Sequence, residues 1–165
     1  MLIPQNILFD FKKDSTISNW KVINDGVMGG KSQGNFKINK QGHAEFSGFV
    51  SLKNNGGFSL VRCKVEKKNS KQFQQIVLKI KGDGKNYQFR IKDNSQHYYS
   101  YNKEFKTSGK WEEITINLNE MYSSFRGRRL DLPNFSSNYI EEFAFLIGNK
   151  KEENFRLFID KIYLQ

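Results

Sequence analysis

The sequence predicts an all-β protein built as an antiparallel sandwich or barrel. Short segments alternate apolar and polar residues with a period of two, which is the pattern of a strand with one buried and one wet face. Residues that favour turns, above all Asn and Gly, separate these segments at short intervals. Apolar residues at helical spacing form no convincing run. Aromatic residues make up 15% of the chain, enough to fill the space between two sheets.

Two strands are predicted on either side of the NNGG turn at 54–57. The first, HAEFSGFVSL at 43–52, alternates apolar and polar side chains. The second, FSLVRCKV at 58–65, places Leu60 and Arg62 on one face, which we expect to point inward. Because a charge on an inward face is costly without a partner, Arg62 should be braced by a carboxylate or by loop carbonyls.

The clearest unit is QIVLKIKGDGKNYQFRIKD at 75–93. Its two alternating segments are predicted to pair as neighbouring strands, joined by a hairpin loop at KGDGKN, 81–86. One face of this pair is apolar and faces the core, and it carries Ile76, Leu78, Ile80, Tyr87, Phe89 and Ile91.

Further strands are predicted from the same alternation, with Pro133 interrupting regular structure in a long irregular loop at 119–139. No repeat, linker or change of composition divides the chain, so we predict one domain over residues 1–165. The remaining strand segments are ILFDF at 7–11, the segment opened by Trp20 and Val22, QHYYSYNKEF at 96–105, WEEITINL at 111–118, EEFAFLIGN at 141–149 and FRLFIDKIYLQ at 155–165.

Charge and cysteine content limit the choice of partner and compartment. The net charge of +10 suits an anionic partner, but most cations are lysines scattered along the chain, and only FRGRR at 125–129 is a compact arginine cluster. The single cysteine, Cys63, lies in an apolar segment and is predicted to be a small buried side chain rather than a reactive thiol. The chain shows neither a leader peptide nor an apolar run of the ~18 residues that span a membrane, so we expect a cytoplasmic location and no transmembrane segment.

Residues suited to catalysis are not found at useful spacing. His43 and His97 are the only histidines, and neither has a metal-ligating neighbour nearby in sequence. No pair of carboxylates is recognisable as an acid and a base. We therefore predict a protein that is not an enzyme, with no catalytic residue and no cofactor. Asp10 and Asp160 leave a structural calcium ion open without supporting one.

Several motifs, in this order, resemble the CIA30 domain family, which is named for complex I intermediate-associated protein 30. They are NDGVMGGKS at 24–32, FSGFVSLKNNGGFSLVR at 46–62, KGDGKNYQFRI at 81–91, the strand that starts at Trp111 and the FRGR segment at 125–128. The resemblance extends from Phe9 to the last strand. It implies a β-sandwich of the galactose-binding-domain-like jelly-roll type. Mitochondrial members of the family are assembly factors that act as chaperones on intermediates of respiratory complex I.

From the resemblance we expect a non-catalytic binding module that engages a protein partner. Glycine-permitted turns around NDG and GG should hold a polar cluster at one rim of the sandwich. Met28 either is displayed between these turns or plugs the end of the core. The candidate binding residues are Asn24, Asp25, Met28, Gly29, Gly30, Ser32, Arg62, Asp83, Tyr87 and Arg126.

Within this set, Asn24, Asp25, Arg62, Asp83 and Tyr87 are expected to converge at one end of the sandwich, with Asp25 or Asp83 as the partner of Arg62.

Two other functions stay open at this point. A carbohydrate-binding module of the same fold would need an exposed aromatic platform, for which Trp20 and Trp111 are the candidates, although both also suit a core. Binding of nucleic acid or another anion through FRGRR, including Arg128 and Arg129, is the less favoured alternative.

Overall fold

A computed structural model describes residues 6–11, 17–25 and 30–165. The described residues form thirteen strands and two single turns of 3₁₀ helix, at Lys53–Asn55 and Leu118–Glu120, and no helix among them is long and apolar enough to cross a membrane. The strands are β1 (Asn6–Asp10), β2 (Trp20–Asn24), β3 (Gln33–Ile38), β4 (Ala44–Val50), β5 (Ser59–Asn69), β6 (Gln75–Lys81), β7 (Asn86–Lys92), β8 (Ser100–Lys106), β9 (Trp111–Asn117), β10 (Tyr122–Phe125), β11 (Arg128–Arg129), β12 (Tyr139–Ile147) and β13 (Glu153–Leu164).

Two antiparallel sheets pack face to face. The six-stranded sheet has the order β3-β4-β13-β6-β9, with β1 also paired to β13. The seven-stranded sheet has the order β11-β10-β8-β7-β12-β5-β2. The expected antiparallel β-sandwich is therefore confirmed.

The core lies between the two sheets and is rich in phenylalanine. Phe46 and Leu78 of the six-stranded sheet and Phe89, Phe143 and Phe145 of the seven-stranded sheet are all fully buried. Their neighbours in sequence point outward, so the period-two pattern correctly identified the inward faces of β4, β6 and β7.

Trp20 joins this core rather than forming a platform. Its side chain is only 8% exposed and stacks on Phe36 with ring centroids 4.5 Å apart. It also meets Phe9 and Phe143 edge to face, each at 5.2 Å. The hypothesis that Trp20 binds sugar is therefore wrong. Trp111 is half exposed on β9, at the edge of the six-stranded sheet, where it packs on His43 at 4.5 Å.

The predicted hairpin at KGDGKN is wrong, because β6 and β7 belong to different sheets. β6 pairs with β13 and β9, whereas β7 pairs with β12 and β8. The segment is an arch that carries the chain across the core, so the apolar faces of the two strands meet each other. Alternation reads the same in both arrangements, because it reports which face is buried and not which strand is the neighbour.

The predicted inward face of β5 is also wrong. Val61 and Cys63 are buried in the core, at 0% and 1% exposure, so Leu60 and Arg62 point to the outer face of the seven-stranded sheet. Both faces of this strand carry apolar residues, which made the pattern ambiguous. No brace to Asp25 or Asp83 is needed, and among the described residues neither carboxylate pairs with Arg62.

Part of the segment expected to be irregular forms a hairpin. Strands β10 and β11 are joined by two residues, Arg126 and Gly127, which both have positive φ, at 49° and 77°. Positive φ at both central positions is the signature of a type I′ turn, whose twist matches that of the flanking strands. Beyond the hairpin, Phe135 is buried against Tyr101, with ring centroids 5.2 Å apart, and fixes the segment to the core.

Cys63 has the environment of a structural cysteine. Burial, aided by the negative charge of Glu142, raises the pKa of its thiol to about 12. The side chain is 1% exposed, as the sequence predicted. We expect a maleimide at pH 7.5 to label native Cys63 at least a hundredfold more slowly than the urea-unfolded chain, because the thiolate is scarce and shielded. Equal labelling rates would contradict this placement.

Candidate binding face

Asp25 is the centre of a hydrogen-bonded cluster at one end of the sandwich. Its side chain is 1% exposed. One carboxylate oxygen accepts the Ser32 amide at 3.0 Å, and the other accepts the Ser32 hydroxyl at 2.5 Å and the amides of Gly57 and Phe58 at 2.6 and 3.2 Å. The carboxylate thereby ties the connection before β3 to the connection before β5.

Two glycines explain part of the unusual NDGVMGG motif and of NNGG. A Cβ atom at Gly56 would lie 2.5 Å from an Asp25 carboxylate oxygen, and one at Gly30 would lie closer still. These glycines are therefore required by the close approach of the backbone to Asp25. Met28 and Gly29 lie outside the described residues, so the hypothesis about Met28 stays untested.

The pKa of Asp25 predicts an acid-sensitive fold. Burial, the largest single influence, opposes ionisation, but the hydrogen bonds from Ser32, Gly57 and Phe58 together outweigh it and hold the pKa below its ordinary 3.8. A carboxyl with a lowered native pKa contributes stability that is complete above pH 3.8 and is lost as pH falls through the native value.

We therefore expect the free energy of unfolding to drop below about pH 4 and to drop less in Asp25→Asn. Urea titrations between pH 2.5 and 7 measure this, and an identical acid dependence in the variant would contradict it.

Asp83 forms a second cluster in the KGDGKN arch. It accepts the Tyr87 hydroxyl at 3.0 Å and the Arg156 amide at 2.8 Å, and the Lys85 ammonium lies 3.5 Å away. Burial and the charge of Asp83 raise the pKa of Tyr87 above its usual range. The hydroxyl is thus a fixed hydrogen-bond donor that joins the arch to the core.

The expected convergence of five residues holds only in part. Strand registers place the turn after Asn24 and the KGDGKN arch at the same end of the sandwich. Asn24 pairs with Ser59 and Ser59 with Ile147, and Leu146, the residue before Ile147, pairs with Gln88 near the start of β7. The two clusters are separate, since three strand spacings, roughly 14 Å, divide β2 from β7. Arg62 belongs to neither, because it lies in the middle of the outer face.

That outer face carries a groove of about 490 Å³, which we call the β5–β12–β7 groove after the strands of its floor. The apolar part of the floor consists of Ile23, Phe58, Leu60, Ala144 and Leu146, and its polar part includes Arg62, Gln88, Arg90, Lys92 and Glu142. The walls hold Tyr98, Phe125 and Arg126. Arg126 therefore shares a surface with Arg62, although the two come from distant parts of the chain.

Two arginines flank one small residue across the floor. Ala144 pairs in register with Arg62 on β5 and with Arg90 on β7, so the three side chains form a row perpendicular to the strands. The Arg90 Nε and Nη2 atoms donate to the Gln88 Oε1 atom at 3.3 and 3.0 Å. Burial lowers the pKa of Arg90, and the nearby Tyr122 and the carboxylate of Glu104 offset this only in part.

The charges of the two outer faces are arranged differently. On the six-stranded sheet, Glu45 pairs with Lys37 and Arg156 at 3.4 and 3.0 Å, and Asp160 pairs with His43 and Lys79 at 3.3 and 3.4 Å. In the groove, no carboxylate of the described residues lies within ion-pairing distance of Arg62 or Arg90. These cations of the six-stranded sheet therefore have a carboxylate partner at close range, whereas Arg62 and Arg90 have none at that distance among the described residues.

The walls of the groove rise from two connections. Tyr98, from the connection between β7 and β8, is 62% exposed and meets the Phe125 ring edge to face at 5.1 Å. The Arg126 guanidinium lies over Phe125 at 5.2 Å. The type I′ turn therefore displays a cation and an aromatic ring together above the floor.

Sequence reasoning missed most of the groove. Arg90, which alternates with the predicted core residues Phe89 and Ile91, was not singled out, and Leu60 was predicted to point inward. The sequence signal for these two residues is a pair of outward-facing side chains two positions apart, Leu60 and Arg62 in β5 and Gln88 and Arg90 in β7. The two pairs lie on either side of β12, and the sequence does not reveal that sheet order. Nothing in the sequence marks Ala144 or Leu146 as their neighbours.

Comparison with known proteins identifies the family of this chain. The family model described as "Complex I intermediate-associated protein 30 (CIA30)" matches residues 9–159. The chain belongs to the CIA30 family. A CIA30 relative, the mitochondrial complex I intermediate-associated protein 30 of Drosophila melanogaster, is 25% identical over 188 residues, covering 97% of this chain. The chain spans only 62% of the length of that relative.

Solved structures show that this CIA30 chain has a galactose-binding-like jelly roll. A family 11 carbohydrate-binding module from Clostridium thermocellum, solved in complex with a β-1,3-1,4-mixed-linked tetrasaccharide, has a TM-score of 0.74 at 17% identity and covers 99% of this chain and 96% of its own. An exo-β-agarase matches with a TM-score of 0.60 at 13% identity over 96% of this chain and 25% of its own. At such identities the likeness is one of fold.

Proposed function

We propose that this CIA30 chain is a non-catalytic module that binds a protein partner in an assembly role, and that the β5–β12–β7 groove is its contact surface. The description of the family, an association with intermediates of complex I, supports the assembly role. The observation that carries the contact surface is the pair Arg62 and Arg90. These cations lie on a partly apolar floor, and no carboxylate of the described residues lies within ion-pairing distance of either.

The polar clusters support binding rather than chemistry. The oxygens of Asp25 and Asp83 accept hydrogen bonds from their own chain, which gives both carboxylates a structural task. His43 pairs with Asp160, and His97 pairs with Asp93 at 3.0 Å. Within the described residues no serine or cysteine side chain bonds to either imidazole, so neither pair activates a nucleophile.

Site-specific photocrosslinking in native lysate tests the proposal. The photoreactive amino acid benzoylphenylalanine replaces Tyr98 at the groove wall in one variant and Lys37, on the six-stranded sheet, in the control. We expect the Tyr98 position to capture a subunit of a respiratory complex I intermediate and the Lys37 position to capture none. Capture from Lys37 alone, or no capture from Tyr98, would overturn the proposed contact surface.

Carbohydrate binding is the second candidate, because the solved neighbours include a module in complex with a tetrasaccharide. The floor of the groove argues against it, since its central row is Arg–Ala–Arg where a sugar platform would have a flat aromatic ring. The rings of Tyr98 and Phe125 pack against each other with an interplanar angle of 89°, so they do not form one flat surface for a sugar. Calorimetric titration with mixed-linked β-glucan separates the two candidates, and binding at micromolar concentration would favour sugar.

A further inference from the structure

We infer that the β5–β12–β7 groove recognises an extended acidic peptide of the partner protein, with Arg62 and Arg90 binding its carboxylates and the apolar row beside them binding its apolar side chains. This inference rests on the proposed function and specifies the chemistry of the partner. Three features of the groove lead to it.

The first feature is charge. Arg62, Arg90, Lys92 and Arg126 line the groove, and Glu142 is its only acidic lining residue among those described. Glu142 is in register with Lys64 on β5 and with Lys92 on β7. It therefore lies between two lysines, in a different row from the arginines. Glu104 offsets the desolvation of Arg90 only in part, so a bound anion would lower the remaining cost of burying this guanidinium.

The second feature is the geometry of the arginine row. Gln88 holds one edge of the Arg90 guanidinium through Nε and Nη2, which fixes its plane and leaves the remaining N–H donors for a ligand. Ala144 separates the two arginines with a side chain too small to block the floor. A planar fork of N–H donors suits the two oxygens of a carboxylate.

The third feature is the neighbouring apolar row. Ile23, Leu60 and Leu146 are in register with one another, and each lies two residues along its strand from the arginine row, a distance of roughly 7 Å. Residues i and i+2 of an extended peptide are the same distance apart on one side of its chain. The groove therefore fits a peptide that alternates apolar and acidic side chains at that spacing.

This arrangement favours a peptide over nucleic acid. A nucleic-acid surface needs a continuous cationic stripe for successive phosphates. Here the two arginines of the floor occupy one row, and the row on one side of them is apolar. The two exposed aromatic rings on the walls pack against each other, which leaves no parallel faces for stacked bases.

Fluorescence anisotropy with a labelled peptide of repeated Leu-Ser-Glu-Ser units, whose Leu and Glu side chains all lie on one side of the extended chain, tests the inference against a Leu-Ser-Gln-Ser peptide of equal length. We expect Arg62→Gln and Arg90→Gln each to weaken binding of the acidic peptide about tenfold or more, because each removes a charge-assisted hydrogen-bond donor. Lys81→Gln, which removes one charge from the six-stranded sheet, should change the affinity less than twofold. Urea unfolding of each variant verifies that it folds.

Arg90→Lys separates specific recognition from general attraction. It keeps the charge but removes the fork, so we expect most of the affinity to be lost. Full affinity in Arg90→Lys, equal or undetectable binding of both peptides, or tighter binding of single-stranded DNA than of the acidic peptide would each overturn the inference.

The crosslinking result distinguishes this failure from failure of the proposed function. If the Tyr98 position still captures a subunit of a complex I intermediate while the acidic peptide does not bind, the proposed function stands and acidic recognition is wrong.

Discussion

Replacing Asp25 by alanine should lower the free energy of unfolding by about 3–5 kcal/mol, the range found when one member of a buried charged network is removed. The change leaves the Ser32 hydroxyl and the amides of Ser32, Gly57 and Phe58 without their common acceptor. Each donor left unsatisfied in a buried site costs about 1–3 kcal/mol. Urea unfolding followed by tryptophan fluorescence measures the loss.

Two controls define this effect. Ser32→Ala removes only the hydroxyl contribution and should cost about 1 kcal/mol. Asp131→Ala, at an exposed aspartate, should change the stability by less than about 0.5 kcal/mol. If Asp25→Ala were no more damaging than Asp131→Ala, the role of Asp25 as a tie between two connections would be refuted.

Trp20→Ala should cost about 3–5 kcal/mol, because it empties a large site in the core. The indole packs on four aromatic rings that come from both sheets, so its loss weakens the contacts between the sheets. The rings are those of Phe9 in β1, Phe11 just after β1, Phe36 in β3 and Phe143 in β12.

Trp111→Ala provides the matched comparison. Trp111 is 39% exposed at a sheet edge, and its loss should cost less than about 1 kcal/mol. Thermal unfolding of both variants measures the difference. If the Trp20→Ala protein were as stable as the wild type but had lost affinity for a glycan, Trp20 would be part of a sugar-binding platform, against its burial in the core.

Local patterns in the sequence were sufficient for the strands and for most inward faces. Alternation identified Phe46, Leu78 and Phe89 as core residues because a strand with one wet face records its burial in its own sequence. The same rule failed for β5, where Leu60 faces outward into a groove that is itself partly apolar. When both faces of a strand carry apolar residues, alternation with a period of two does not show which face is buried in the core.

Sheet order and long-range hydrogen bonds were beyond sequence reasoning. Asp25 was predicted to belong to a polar cluster at one rim, but two of its hydrogen-bond donors, Gly57 and Phe58, lie 32 and 33 residues away in sequence. The row of Arg62, Ala144 and Arg90 depends on the order β7-β12-β5, which brings together residues from three distant segments. No local propensity encodes that neighbourhood.

The unequal treatment of charge on the two faces has a consequence before any contact is made. Ion pairs close together cancel each other's field within a short distance, whereas guanidinium groups with no carboxylate at that distance extend theirs into solvent over roughly a Debye length. The β5–β12–β7 groove therefore presents a positive field to the solvent. During diffusion towards a negatively charged assembly, this field would orient the protein so that β5, β12 and β7 face the partner. A larger share of the collisions would then lead to binding.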